Sequence, residues 1–548
     1  MDLNKDAVHR QDDVESGYDA KIRDDDVVIH NDTFAIKREA LGTDLPPNYW
    51  RSPGFIGTVA ALCFGNISNY LSFVLPANSL ALINKTLGPS NNISWVSLAY
   101  TLGLAVGFLI VGRMSDRPLW VVGIFASSFQ FAAFGPVIAQ ALVANTVLGW
   151  RINYYINIAV AGMAVVLFVL FYHPPNFNLL HQNRSKMQQL KRQDGVGLVL
   201  FTGGLILFIM GLSWGGTVGL SPISSDDAKA DSLQSYPWNS AHVVATIVVG
   251  FLCLVAFVAY EAFVHRGDPL LPLHLFKTKG YLAMVLTAMV GSCVYYSMNI
   301  LWPSQIAYLF GGSPVHKGWL ACVVGGSCLV GQIVGAILCQ YIKQSRYILI
   351  GGCVLLLSFS AAMVTIEPGQ EAKGVGLMFM ACFSVGVVEI CSLALAPLAL
   401  PSEDIGAATG ALGSIRSGGA AVATAIYVAI LNNKLKVYIP QYVTPAATGA
   451  GLPESSLPDL YSALTTGVLT AVPGITPAIE AAVGAANAIA AAQAFRYVWY
   501  AVIAFCCLAL GAACLTVNYG EHLTDTVERK LHGKTVHVGE HHELSEKV

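Results

Sequence analysis

In the stretch FSVGVVEICSLALAPL, residues 383 to 398, Glu389 is the single charged side chain, and the nearest others along the chain are Lys373 and Glu403. A carboxyl group in such apolar surroundings is costly to keep ionised. When its access to water changes, such a group can take up and give back a proton. Glu389 is therefore read as a coupling site, or as a polar residue bonded to a neighbouring helix for packing. Arg416, in GSIRSGGAAVATAIY, stands a turn or more inside a second apolar stretch. It can act as a counter-charge or ligand contact, or its long stem can carry the guanidinium to the membrane interface.

A third stretch, MVGSCVYYSMNILWPSQIAYLF (289–310), concentrates Tyr295, Tyr296, Asn299, Trp302, Pro303 and Gln305. Phenols and amides hydrogen-bond an uncharged or weakly polar ligand, and Trp302 offers apolar contact area. A proline within a helix frees a backbone carbonyl and bends the helix, as transporters use at a cavity. About half of these groups are expected to face a cavity and the rest to pack between helices or at the interface. Asn66, Asn69, Gln130 and Gln332 join the same set as single amides in apolar stretches, a type that also serves as interhelical glue.

Other chemistries find no support. No phosphate-cradling loop and no nucleophile–base motif stands in a water-facing segment, so the sequence reads as neither an ATP-driven pump nor an enzyme. All 12 cysteines fall in apolar runs, and no disulfide framework or metal site is visible. The histidines of the tail HGKTVHVGEHHELSEKV read as solvated, and no cofactor is expected. With 31 Lys+Arg against 33 Asp+Glu and no basic stretch interleaved with aromatics, nucleic acid is not a partner.

These residues must be positioned by membrane-spanning helices. Of the 548 residues 55% are hydrophobic and 12% charged, with a mean hydropathy of +0.58, whereas soluble domains carry about 25% charged residues. A helix needs about 20 apolar residues to span the bilayer. Twelve windows qualify: 55–76, 93–112, 119–143, 152–172, 196–214, 240–260, 281–310, 315–341, 346–366, 373–397, 405–431 and 494–518. With both termini in the cytosol, 22 of the 31 Lys/Arg lie on the inner side, as the positive-inside rule favours. The sequons at Asn84 and Asn92 then fall in the first outer loop and are candidate glycosylation sites.

The expected organisation is an all-α integral membrane protein of about twelve helices in two pseudo-symmetric halves. A disordered cytosolic tail (1–50) precedes an N-terminal half of four spans (51–172). A cytosolic linker with two additional spans follows (173–260), then a C-terminal half (261–519) with a large outer loop (432–493) and a cytosolic tail (520–548). The glycine patterns GLAVGFLIVG (103–112) and GSCLVGQIVG (326–335) predict close helix approach.

Four stretches resemble the major facilitator superfamily, and specifically its fungal trichothecene-efflux-pump family of drug:proton antiporters. Gly112-x-x-x-Asp116-Arg117 is similar to the start of the superfamily's inner-loop motif after the second helix. Gly135-Pro136, in FAAFGPVIAQAL, resembles the antiporter motif of the fifth helix, and LGWRINYYINIAVAGMAVVLFVLFYHPP (148–175) the segment through the sixth. PSEDIGAATGALGSIRSGGAAVATAIYVAILNNKL (401–435) is the most distinctive of the four. The resemblance runs from about residue 45 to 520 and implies fourteen spans. Here Arg117 is followed directly by PLWVV, and the next span already holds Gly135-Pro136, so the family's third and fourth helices are missing and the first half is incomplete. The fourth carries an Arg-containing motif linked to proton coupling, for which this chain has no counterpart.

The resemblance implies proton-coupled efflux of a small amphipathic compound by alternating access. Asp116 and Arg117 would contribute to an inner gate, Gly135-Pro136 to a bend that limits leak, and Glu389 to protonation. The expected partners are a small-molecule substrate, protons and the lipid bilayer around a monomer, in the plasma membrane or else a vacuolar or vesicle membrane. Uptake of an iron–siderophore chelate, and a non-transporting form arising from the missing helices, are the alternatives.

Overall fold

A computed structural model describes residues 27–30, 34–37, 51–87, 93–112, 121–172, 194–215, 237–264, 269–342, 344–400, 405–466 and 472–518. Every one of the twelve predicted windows is a helix. They are α1 (Pro53–Leu87), α2 (Trp95–Gly112), α3 (Val121–Asn145), α4 (Arg151–Phe171), α5 (Gly195–Trp214), α6 (Ala241–Ala259), α7 (Lys279–Leu309), α8 (Pro314–Tyr341), α9 (Ser345–Ala362), α10 (Glu371–Leu395), α11 (Ile405–Gly449) and, after the short α12 (Leu457–Thr466), α13 (Pro477–Cys514). Among the described residues ten of these are long and apolar enough to cross a membrane, and Trp95–Leu109 and Phe131–Asn145 qualify as shorter apolar helices.

The ends of several helices are written locally. Asp194 caps α5 by accepting from the Gly197 amide at 2.8 Å. Ser313 followed by Pro314 starts α8, and Thr476 followed by Pro477 starts α13. Proline suits the first helical position because its missing N–H has no intrahelical partner there in any case.

Two expectations are corrected, and a third falls mostly outside the described residues. Of the tail 1–50, expected to lack structure, the described residues are two short strands, β1 (Val27–His30) and β2 (Phe34–Lys37), paired antiparallel with Val27 opposite Lys37. The β-branched and aromatic residues of VVIH and FAIK suit strands. The segment 432–493, expected as a loop, is mainly helical: α11 continues to Gly449 and α13 begins at Pro477. Its apolar residues recur on helical faces and close a small core of Val443, Ala447, Leu460, Ile479 and Val483, so the prolines in this segment mark helix starts and bends rather than a coil. Asn84 lies in the last turn of α1, half-buried, and not in a loop. Asn92, Asp116, Arg117, the segments 173–193, 216–236 and 519–548, and the junction between α2 and α3 lie outside the described residues.

The chain divides into two units. In the smaller, residues 1–64, 162–193 and 525–548, the start of α1 meets the end of α4, where the Thr58 hydroxyl donates to the Phe171 carbonyl at 3.1 Å. The larger, residues 65–161 and 194–524, holds the remaining bundle. There the rest of α1 is tied to α4 by a polar ladder: Ser68 donates to Asn157 (2.9 Å), Asn157 to Ser72 (2.7 Å), and Asn153 to Ser79 (2.8 Å). α7 is the most enclosed helix, and its buried face with those of α8, α10, α11 and α13 forms the main apolar core.

Close backbone approach organises this unit. A Cβ on Gly331 of α8 would overlap the Phe383 carbonyl of α10, and one on Gly386 of α10 would overlap the Cys328 carbonyl of α8. Gly318 and Gly325 of α8 likewise admit α3, with the Val137 Cα only 2.9 Å from a Cβ built on Gly318. The 326–335 pattern thus does what its spacing predicts. The 103–112 pattern does not: Gly103 and Gly107 face open space, and α2 instead meets α11 through Phe108 on Gly413. Gly386→Leu is expected to cost about 1–3 kcal/mol by overpacking, read as a lowered thermal midpoint of the purified protein, whereas Gly376→Leu on the same helix, with nothing within 4 Å, leaves it unchanged.

Candidate functional site

Glu389 on α10 and Arg416 on α11 form an ion pair in the interior of the larger unit. Arg416 lies 11 residues into its helix, about 16 Å along the axis at about 1.5 Å per residue, and its guanidinium does not snorkel. One terminal N–H donates to Glu389 Oε1, and Nε donates to the Ser292 hydroxyl of α7. The other carboxylate oxygen accepts from Gln332 Nε2 of α8 at 3.1 Å and lies 3.8 Å from the Cys328 Sγ. Four helices thus converge on one carboxylate that is 2% exposed, while the Arg416 side chain retains 15% exposure.

Small residues make this convergence possible. Gly331 and Gly386 bring α8 and α10 nearly into backbone contact, so the Gln332 amide reaches Glu389. On α11, Gly413 receives Phe108 of α2 and Gly419 receives Met289 of α7, which seats Arg416 between those helices. A charged side chain at the centre of a spanning helix costs about 2.5–3.5 kcal/mol on insertion scales. Pairing cancels the net charge, and removing one partner of a buried pair costs about 3–5 kcal/mol.

An aromatic group adjoins the pair. Phe73 of α1 stacks on Tyr100 of α2 with centroids 5.1 Å apart and meets Tyr296 of α7 edge-on at 5.2 Å. Tyr70, Tyr100 and Tyr296 lie within electrostatic range of Arg416. Among the described residues none of these three hydroxyls has a hydrogen-bond partner, and neither does Arg416 Nη1. The site therefore sets a buried aromatic cluster, with N–H and O–H donors that have no partner among the described residues, beside one carboxyl group.

Of the predicted residues, Glu389, Arg416, Gln332 and Tyr296 come together here, with Tyr295 against Tyr296 at 5.3 Å. Others are used elsewhere. Trp302, expected to offer contact area to a ligand, is fully buried, and its indole N–H donates to the Leu320 carbonyl at 3.0 Å. Asn299 donates to the Tyr295 carbonyl of its own helix at 2.8 Å, and Gln305 is 2% exposed. Asn66 is half-buried on α1, and the Gln130 side chain lies outside the described residues. Gly135 and Pro136 sit on α3 where it presses on α1 and α8: a Cβ on Gly135 would stand 2.6 Å from Val74 Cγ1. Gly112 ends α2. Tyr70, Phe73, Tyr100, Ser292 and Cys328 are not singled out by residue type alone. Helical spacing carries a signal for three of them, because Tyr70 and Phe73 follow Asn66 on one face of α1 and Cys328 stands one turn before Gln332.

The model of the family described as fungal trichothecene efflux pump (TRI12) matches residues 13–126 and 118–540. The match is in two pieces that meet at 118–126, directly after Arg117. The trichothecene efflux pump of Fusarium sporotrichioides is 25% identical over 591 aligned positions, covering 95% of this chain and 94% of that protein. That alignment is longer than the 548-residue chain, so the relative carries segments that this chain does not. An MFS-type transporter of Penicillium rubens is 28% identical over 447 positions, covering 75% of this chain and 78% of its own length. A solved structure of a bacterial homolog to the human lysosomal transporter Spinster, inward-facing and occupied, matches at a TM-score of 0.43 and 12% identity, covering 85% of this chain and 97% of that one. With a family model spanning nearly all of it, the chain is a multi-pass membrane transporter of the major facilitator superfamily and belongs to the fungal trichothecene efflux pump family.

Proposed function

We propose that this protein exports small amphipathic compounds in exchange for protons, with the Glu389–Arg416 pair as the coupling site. The buried pair is the observation that carries the reading. The carboxylate of Glu389 can be neutralised by Arg416 or by a proton, and the two occupants exclude each other. Protonation withdraws the guanidinium's counter-charge, and the nearby phenols of Tyr70 and Tyr296 are groups able to receive it. Proton binding and helix arrangement are thereby linked: a proton shifts the population towards conformers in which α10 and α11 no longer hold each other by charge. Phe73, Tyr100 and Tyr296 pack on one another in this arrangement, and alternating access would part this cluster to admit cargo from one side at a time. Asp116 and Arg117 contribute to an inner gate and Gly135-Pro136 to a bend that limits leak. The protein sits as a monomer in the plasma membrane with both termini in the cytosol.

A second reading is favoured by the two-piece family match: the chain lacks two helices at 116–119, through an exon lost in the gene model or by alternative splicing, and transports poorly as it stands. Amplifying the transcript across the codons for Asp116 and Pro118 tests it. A longer product encoding two more spans is expected, and its efflux of a compound panel in pump-deleted yeast should exceed that of the 548-residue chain. A single product of the shorter length overturns the lost-exon account.

The coupling role is tested in proteoliposomes loaded with a cargo found by that panel. Glu389→Gln is expected to abolish the proton-gradient-dependent part of flux while the protein still inserts. Because Gln leaves Arg416 without its counter-charge, the double variant Glu389→Gln/Arg416→Gln should recover the stability lost, about 3–5 kcal/mol, but not the coupling. Proton-driven flux that survives Glu389→Gln rules the pair out as the coupling site.

A further inference from the structure

We infer that Cys339 and Cys391 form an oxidation-sensitive staple between α8 and α10. Their sulfurs face each other at 3.0 Å across the two helices, and both thiols are free. A disulfide bond is about 2.05 Å long, so the sulfurs need to close by only about 1 Å. The contact is built by the same close approach that serves Glu389. Gly335, one turn before Cys339, lies against Val387 and Ile390, next to Cys391.

The two thiols differ in access: Cys339 is half-buried and Cys391 is fully buried. A peroxide therefore meets Cys339 first. Its sulfur attacks one peroxide oxygen, the O–O bond breaks, and a sulfenic acid and one water form. The Cys391 sulfur then attacks that of Cys339 and expels the hydroxyl as a second water, leaving a disulfide. Two thiols are oxidised and one peroxide is reduced to two waters. With the termini cytosolic, α8 and α10 both end on the inner side, where thiols stay reduced until an oxidant reaches them.

The staple acts on the coupling site. Gln332 stands two turns before Cys339 on α8, and Glu389 stands two residues before Cys391 on α10. Linking the helix ends prevents α8 from sliding along α10, so Gln332 stays on the Glu389 carboxylate and the carrier is held in its present arrangement. This arrest rests on the proton-exchange reading, while formation of the bond does not.

The test uses the full chain in proteoliposomes exposed to hydrogen peroxide, with remaining thiols blocked by N-ethylmaleimide and peptides analysed by mass spectrometry. The expected result is a Cys339–Cys391 cross-linked peptide that dithiothreitol removes, with the remaining cysteines still alkylated. Flux should fall to background on oxidation and return on reduction. Cys339→Ser and Cys391→Ala should each retain basal flux and lose sensitivity to peroxide. Over-oxidation of Cys339 with no cross-link, in protein whose thermal midpoint is unchanged, overturns the staple. A quantitative cross-link with undiminished flux overturns the arrest. If the chain carries no cargo at all, the cross-link alone decides the pair, so failure of the transport reading stays distinguishable.

Discussion

A guanidinium buried 11 residues into an apolar helix must be neutralised where it stands, and much of the larger unit is arranged around that requirement. Arg416 stands 11 residues from the nearer end of α11 with its side chain largely buried, so it needs an acid within hydrogen-bond reach, and Glu389 supplies it. The acid in turn needs its second oxygen satisfied, which brings Gln332 of α8 into place. Ser292 of α7 accepts from the guanidinium Nε. One buried charge thereby sets the relation of four helices.

Such convergence is possible only where backbones touch. A hydrogen bond between side chains as short as Gln and Glu cannot bridge helices held apart by large residues, and the glycines of α8 and α10 remove that obstacle. The same device seats α3 against α8 and α2 against α11. Helices before the 116–119 junction therefore stay joined to the helices after Lys279 without passing through the linker. This accounts for a packed bundle even though the family match is broken at 118–126. Beyond the bundle, the extended ends of α11 and α13 and the short α12 bury their own apolar side chains, which explains why a segment rich in proline and glycine is ordered.

The placement of the twelve helices was legible from residue types, because a run of apolar residues long enough to span a bilayer leaves the backbone no cheaper way to satisfy its N–H and C=O groups. Glu389 and Arg416 were legible as exceptional for the same reason, and the glycine spacing of 326–335 announced a close contact. Less legible were helix limits where the signal is amphipathic rather than apolar, as in 432–493, and the use of polar residues that one-dimensional reading cannot orient. Trp302 and Tyr296 illustrate this: both stand in one polar and aromatic stretch of α7, yet one is bonded to the Leu320 carbonyl and the other packs against Phe73 near the ion pair.

By itself, then, the sequence determined what must lie in the membrane, which charges are out of place there, and where the family pattern is interrupted after Arg117. Only the tertiary structure decided that the two isolated charges are partners, that Gln332, Ser292, Tyr70 and Tyr100 gather around them, and that Cys339 meets Cys391. The physical reason is that hydropathy acts along each helix separately, whereas charge pairing and thiol contact depend on the rotation of one helix against another. That rotation is set by which small residues face which neighbours, a property of helix pairs that no single segment contains.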